Sequence, residues 1–278
     1  MHIGIIVFMS KDMIQYKLPT AKRFAHYVLS VLSHMCRQKF FQSSSVTSNK
    51  IQNTMTNEPI SSSVMDILQL IQDNNWSKLT SSFLQPNIFQ ALAARVNESS
   101  SFNGMTLLHA VCRFNPPPYV VKKMIMFCPD DAKSLDCLNR TALHVATGSG
   151  ACYLVIDALL AANPDACRVQ DADGRTPLHM ACDRHCVLFE GSSNGHDAPR
   201  HDIVSSLLSV SPSTVTLEDD DEMTAIEYAL LSSADMSVIR MLQRAAQRIL
   251  RKKHKEERRR QQVAGFSPRD KVFHARSA

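Results

Sequence analysis

Thr176-Pro177-Leu178-His179-Met180-Ala181 recurs in weaker form at Thr141-Ala142-Leu143-His144-Val145-Ala146 and at Thr106-Leu107-Leu108-His109-Ala110-Val111, with 35 residues between successive copies. A fixed period of this size rules out a fold organised around one compact core. It calls for stacked supersecondary units, each burying an apolar face against its neighbours.

Several columns keep the same register. Ser101, Asp136 and Asp171 stand five residues before each Thr, and Gly104, Asn139 and Gly174 stand two before it. Pro129 and Pro164 are also 35 apart. After Thr176 the matching residue is Thr224, at an offset of 48 that Asp171 to Asp219 and Pro164 to Pro212 share. The third unit thus carries 13 extra residues. They fall between its two helices, in Cys186–His201, where Glu190-Gly191-Ser192-Ser193-Asn194-Gly195-His196-Asp197-Ala198-Pro199 has loop composition. Two readings apply to this insertion: a flap beside a binding groove, or a surface loop that is simply tolerated.

The motif has a physical logic. Asp and Gly supply a turn, Thr caps a helix, and Pro177 sits in the first helical turn, where its missing N–H costs nothing. A second helix follows in each unit, apolar at Val120, Val121, Met124 and Ile125, then at Leu154, Val155, Ala158 and Leu159, then at Ile203, Val204, Leu207 and Leu208.

These residues resemble the ankyrin repeat over roughly 66–250. The third unit, from Asp171 to Cys182, matches almost completely, and Asn139 replaces the turn Gly of the second. The first unit has Ser101 for Asp. The fourth, Asp219 to Ala229, has Glu222 for Gly and Glu227 for His, as expected of a capping unit. The resemblance implies an all-α solenoid of stacked helix-turn-helix units with short β-like turns, a helical N-terminal cap and an extended C-terminal helix. The expected organisation is a basic disordered leader (1–60) and a helical cap (61–98). Repeats follow at 99–250, as units near 101–135, 136–170, 171–218 and 219–250 with the insertion near 186–201, and then a basic tail (251–278). In the cap, Val64 to Gln72 and Trp76 to Phe83 read as helices split by Asp73-Asn74-Asn75, with a further stretch at Phe89, Leu92 and Ala93. Trp76 reads as a core anchor.

The formal net charge of +5 hides an asymmetry. Residues 1–57 carry a net +6 and 240–278 a net +10, which leaves −11 on 58–239. Basic ends keeping an acidic body soluble is one explanation; attraction of a basic partner segment is the other. The cysteines at 112, 128, 137, 152, 167, 182 and 186 fall in the repeats, a pattern of reduced thiols in the cytoplasm or nucleus. Cys36 lies in the leader. There the apolar runs Ile3 to Met9 and Phe24 to Cys36 match no secretory signal and are too short or too interrupted to span a bilayer. Organelle targeting and a translation start at Met55 or Met65 are the competing readings of that leader.

No chemistry is expected. The chain has no phosphate-cradling glycine loop, and His109, His144 and His179 follow the repeat register; in the family that His is structural. His179, Cys182, His185 and Cys186 have metal-like spacing, but no second pair completes a tetrahedral set. We expect no catalytic, cofactor or metal residue, and a monomeric, non-enzymatic scaffold without membrane contact. The partner is another protein, held on the concave face. By the resemblance, that face comprises Phe102, Asn103, Met105, Arg113, Phe114, Cys137, Leu138, Arg140, Ala172, Asp173, Arg175, Asp183, Arg184, Asp220, Asp221 and Met223. Arg140 and Arg175 are equivalent positions and suggest a basic ladder for an acidic or C-terminal carboxylate. Val238, Ile239, Leu242, Ala245, Ala246, Ile249 and Leu250 form an apolar stripe, so the last helix packs on the stack. Beyond it Arg251, Lys252, Lys253, Lys255, Arg258, Arg259 and Arg260 read as a solvated helix, with Glu256 pairing Lys252 or Lys253. Nuclear import, phosphate contact by a nucleic-acid-associated regulator, docking to an acidic subunit and a coiled coil are the alternative uses of this segment.

Overall fold

The computed structural model describes residues 64–82, 90, 93–94, 104–186, 188 and 199–264. The leader, Phe83, Phe89, Leu92, Phe102, Asn103, the insertion from 189 to 198 and the tail from 265 lie outside the described residues.

A short helix leaves its first N–H groups without intrahelical partners, and here one side-chain pair satisfies them repeatedly. In the first three units the Thr N–H donates to Nδ1 of the His three residues on, at 3.3, 3.1 and 3.0 Å. The Thr hydroxyl lies 2.8–2.9 Å from the same nitrogen. This capping box opens the inner helices α3 (Leu107–Cys112), α5 (Ala142–Gly148) and α7 (Pro177–Cys182). In the fourth unit, Glu227 Oε2 accepts the Thr224 N–H at 2.6 Å and its hydroxyl at 2.9 Å, opening α9 (Ala225–Leu231).

Each inner helix turns back into an outer one: α4 (Pro118–Phe127), α6 (Tyr153–Ala162), α8 (His201–Val210) and α10 (Met236–Ala264). Two cap helices, α1 (Val64–Gln72) and α2 (Trp76–Ser82), precede them. They are split at Asn74, whose φ is +53°. Inner helices pack in the series α3, α5, α7, α9 and outer helices in the series α4, α6, α8, α10, with α1 against α3. One apolar core runs through the stack and includes Leu107, Leu143, Leu178, Val155, Val204 and Leu242, while Ala146 and Ala181 let the inner helices approach closely. Ile67, Ile71 and Leu79 of the cap are buried in it, and Trp76 packs against it half-buried. The described residues thus form an all-α repeat solenoid.

The outer helices differ in how they stop. α4, α6 and α8 each have ten residues and end at Cys128-Pro129, Asn163-Pro164 and Ser211-Pro212. Proline disfavours α conformation in the preceding residue and cannot donate to the helix, so a 3-10 turn follows each time. α10 has Ala246-Gln247 at that point and continues to 29 residues, about 43 Å. The C-terminal helix is therefore the outer helix of the last unit, running on because nothing stops it.

The turns are built by Asp. Oδ1 of Asp136, Asp171 and Asp219 each accepts two backbone N–H groups, from the residues two and four positions on, at 2.8–3.1 Å. Successive tips are joined by Ala172 N–H to Leu138 O and Asp220 N–H to Asp173 O, at 2.8 and 3.1 Å. The tip needs a left-handed residue, and Gly104, Asn139, Gly174 and Glu222 supply it. At Gly174 a Cβ would lie 2.9 Å from the Asp220 nitrogen, so the next turn also requires glycine there. Glu222 holds φ +61° without glycine's freedom. Glu222→Gly is expected to raise stability by about 0.5–1 kcal/mol, read as a higher midpoint in urea.

The same three imidazoles also stitch the units together. His109 Nε2 donates to Arg140 O (3.0 Å), His144 Nε2 to Val169 O (3.1 Å) and Arg175 O (3.3 Å), and His179 Nε2 to Leu217 O (3.1 Å). A carbonyl only accepts, so Nε2 carries the proton and Nδ1 must stay bare to receive the threonine. Burial enforces this neutral form: it lowers the pKa of His109 and His179 and takes that of His144 down to about 3. Below the unfolded value of about 6.5 the unfolded chain binds protons that the folded chain refuses, so stability rises with pH and is lost on acidification. Each histidine contributes a slope of about 1.4 kcal/mol per pH unit in that window. Asp171, raised to about 6 chiefly by burial, acts in the opposite sense. Its contribution is present below about 4 and fades as pH rises through 6, offsetting one proton. Urea midpoints measured from pH 7 down to 5 should fall steadily, and His144→Gln should lower stability at pH 7 while flattening the slope by about one proton.

Candidate functional site

The inner helices present equivalent positions at their C-terminal ends: Arg113, Gly148, Asp183 and Leu231. In the second and third units an arginine precedes the capping Thr and can reach along its own helix toward this row. Arg175 does so in the third unit, where Nη2 donates to Asp183 Oδ2 at 2.7 Å and the guanidinium lies 4.7 Å from the centre of the Tyr228 ring. Its Nε is buried with no hydrogen-bond partner among the described residues, and the cation–π contact partly offsets that loss.

The second unit solves the same problem differently. Arg140 is 4% exposed; its Nε donates to Asp136 Oδ2 at 2.8 Å and its Nη2 lies 2.6 Å from the same oxygen. The position equivalent to Asp183 is Gly148, which offers no side chain. Leu188, from the start of the insertion, fills the space: a Cβ on Gly148 would lie 2.5 Å from a Leu188 methyl, and Leu188 O accepts from Arg140 Nη1 at 3.4 Å. Cys186 and Leu188 are both buried. The insertion thus begins as part of the inner face, although spacing alone placed it as loop.

The expected basic ladder is therefore not what Arg140 and Arg175 form. Both guanidiniums are engaged with carboxylates of their own units, Asp136 and Asp183, and Asp183 is itself buried. Sequence equivalence made the two arginines look free because it could not show which acceptor each would find. Arg113 and Phe114 are half-buried, with the guanidinium 5.4 Å from the Phe114 ring centre. Burial, then the charge of Arg140, lowers the Arg113 pKa to about 10 and leaves it cationic at neutral pH. Met105 is half-buried against the core, and Leu138 and Met223 are half-buried at the tips. Asp173, Arg184 and Asp221 are exposed, as are Cys137, Ala172 and Asp220. Leu230 and Leu231, 53% and 68% exposed, join this row; the sequence signal was an apolar pair beyond Ala229, where unit three has Cys182 and Asp183.

The groups with metal-like spacing are committed elsewhere. His179 is fixed by Thr176 and Leu217, His185 is exposed, and burial raises the Cys182 and Cys186 thiols to about 12 and 11. Thiols held that high remain protonated and unreactive at neutral pH. The seven cysteines within the described residues are free. The basic segment Arg251, Lys252, Lys253, Lys255, Arg258, Arg259 and Arg260 lies on α10 and is exposed throughout. Glu256 pairs with Arg260 at 3.5 Å, in place of the expected Lys252 or Lys253. No helix among the described residues is long and apolar enough to cross a membrane.

Removing one member of a buried ion pair strands the other. Arg140→Met should lower stability by about 3–5 kcal/mol, measured by urea unfolding, whereas Arg184→Met, at an exposed site, should change it by less than about 0.5 kcal/mol.

A comparison with curated proteins finds no match. A family model described as ankyrin repeats (3 copies) matches residues 107–197, from α3 through α7 into the insertion. Ankyrin repeats are in general protein–protein interaction modules, and the family is typically non-enzymatic. The shared Thr–His capping box, the Asp-built turns and the stacked helix pairs agree with that match, and residues 107–197 of this chain are ankyrin repeats.

Proposed function

We propose that the chain is a non-enzymatic adaptor that holds a partner protein on the concave face, against the turn tips and the C-terminal ends of the inner helices. The observation that carries this reading is the division of side chains along the inner row. Residues of chemical character (His109, His144, His179, Arg140, Cys182) are buried and occupied in the scaffold, while the side chains of Asp173, Arg184, Asp221, Leu230 and Leu231 stay exposed along the same row. Two apolar side chains beside a cation and two carboxylates is the mixture of a specific protein interface: apolar contact for affinity, charge for orientation. Acids at the tips of units three and four (Asp173, Asp220, Asp221, Glu222) favour a partner segment that is basic where it meets the tips.

The test uses a photo-crosslinking residue placed at Arg184, Asp221 or Leu231, and, as controls, at the exposed outer-helix positions Lys122 and Asp157. Irradiation in cells should yield the same crosslinked partner from all three inner positions and not from the controls. Crosslinks confined to Lys122 and Asp157 would overturn the concave-face reading.

A further inference from the structure

α10 carries a second surface, separate from the inner face. At 3.6 residues per turn, Arg240, Arg244, Arg248, Arg251, Lys255 and Arg258 fall within an arc of about 80°. All six are exposed. They extend over 18 residues, about 27 Å of helix, and include both the part of α10 packed on the stack and the part beyond it. No acid interrupts them. Glu256 continues the line of Val238, Leu242 and Ile249, and Glu257 that of Ile239, both on the face away from the stripe. Glu256 answers Arg260 on that face and leaves the stripe alone.

We propose that this stripe binds the phosphate backbone of double-stranded DNA without sequence preference. Five of its six residues are arginines, whose planar forks match phosphate oxygens. A duplex carries one charge per ~1.7 Å of its axis, so a straight row of cations ~27 Å long meets phosphates along its whole length. α10 contains no Phe, Tyr or Trp, and so lacks the stacking platforms that single strands need. An anionic membrane is a poorer fit, because interfacial helices insert an apolar face. The apolar face of α10 is buried against the stack at Val238, Ile239 and Leu242, and Glu256 and Glu257 replace it further on. The major groove of B-DNA admits an α-helix, whereas that of duplex RNA is deep and narrow, which favours DNA. The stripe shares no residue with the inner face, so either proposal can fail alone.

The experiment titrates the full chain into fluorescein-labelled DNA duplexes of two unrelated sequences, from ~50 to ~200 mM salt. Six phosphate contacts predict a loss of about 10³-fold in affinity over that range, equal for the two sequences. Arg251→Gln with Lys255→Gln should reduce the slope of log K against log salt by about two. Lys253→Gln with Arg260→Gln removes the same charge from the other flank and should leave the slope unchanged. Circular dichroism should show intact helix in both variants. Equal weakening by the two pairs would mean that net charge, not the stripe, binds, and would overturn the proposal. So would no binding at ~50 mM salt, or tighter binding to duplex RNA, polyglutamate or phosphatidylserine-containing vesicles than to DNA.

Discussion

The stack depends on imidazoles that must stay neutral. In three units one ring accepts from the capping threonine at Nδ1 and donates to the following unit from Nε2. A single side chain thereby closes the N-terminus of an inner helix and fixes where the next unit sits, which couples local structure to stacking. Protonation would place a donor against the threonine N–H and break the cap, and it would leave a charged ring buried between the units. Because the donation always runs toward the following unit, the array has a direction. Among the described residues no further inner turn lies ahead of the fourth unit to receive a proton. Glu227 fits that place: a carboxylate accepts from Thr224 as well as an imidazole does and has no proton to donate onward. The substitution that looks like decay of the motif is the terminal form of the same device.

That arrangement explains why the chemically suggestive residues of this chain are scaffold. A stack of short helices exposes many backbone groups between units, and polar side chains must be buried to satisfy them. Asp136, Asp171 and Asp219 hold the turns, and Asn163 and Arg168 bridge to the neighbouring unit at 3.0 Å each. Arg140 belongs with them. Its engagement with Asp136 and with Leu188 O ties the insertion to the second unit across the place where Gly148 leaves a gap. The insertion is anchored at its start by packing that the repeat itself lacks there.

How much of this could be read from the sequence varied with the range of the interaction. The capping threonines, the turn residues, the helix pairs and the place of the insertion follow from local rules that act within a few residues, and the periodicity made them visible. Arg175 finds its acceptor eight residues on, at Asp183, and Arg140, besides Asp136 four residues before it, reaches the backbone carbonyl of Leu188, 48 residues away. Equivalent register suggested equivalent roles, while a glycine in one unit and an aspartate in the next sent the two arginines to different acceptors. The exposed pair Leu230 and Leu231 was legible in principle. It stands in the inner row one unit after Cys182 and Asp183, where no inner helix among the described residues covers it.

The long C-terminal helix shows how a missing residue can shape a surface. Proline ends the other outer helices after ten residues; without it, α10 keeps the register set by Val238 and Leu242 in the core. A helix that continues without a break preserves the angular relation among all its side chains. The positions of Arg251, Lys255 and Arg258 are thus dictated by packing that lies two to five turns earlier, and they line up with Arg240, Arg244 and Arg248 on the stack itself. A flexible basic tail would have to order its cations on binding and would lose conformational entropy in doing so. Here the core has already ordered them, and the arginine row inherits its direction from the same stack that presents the inner face.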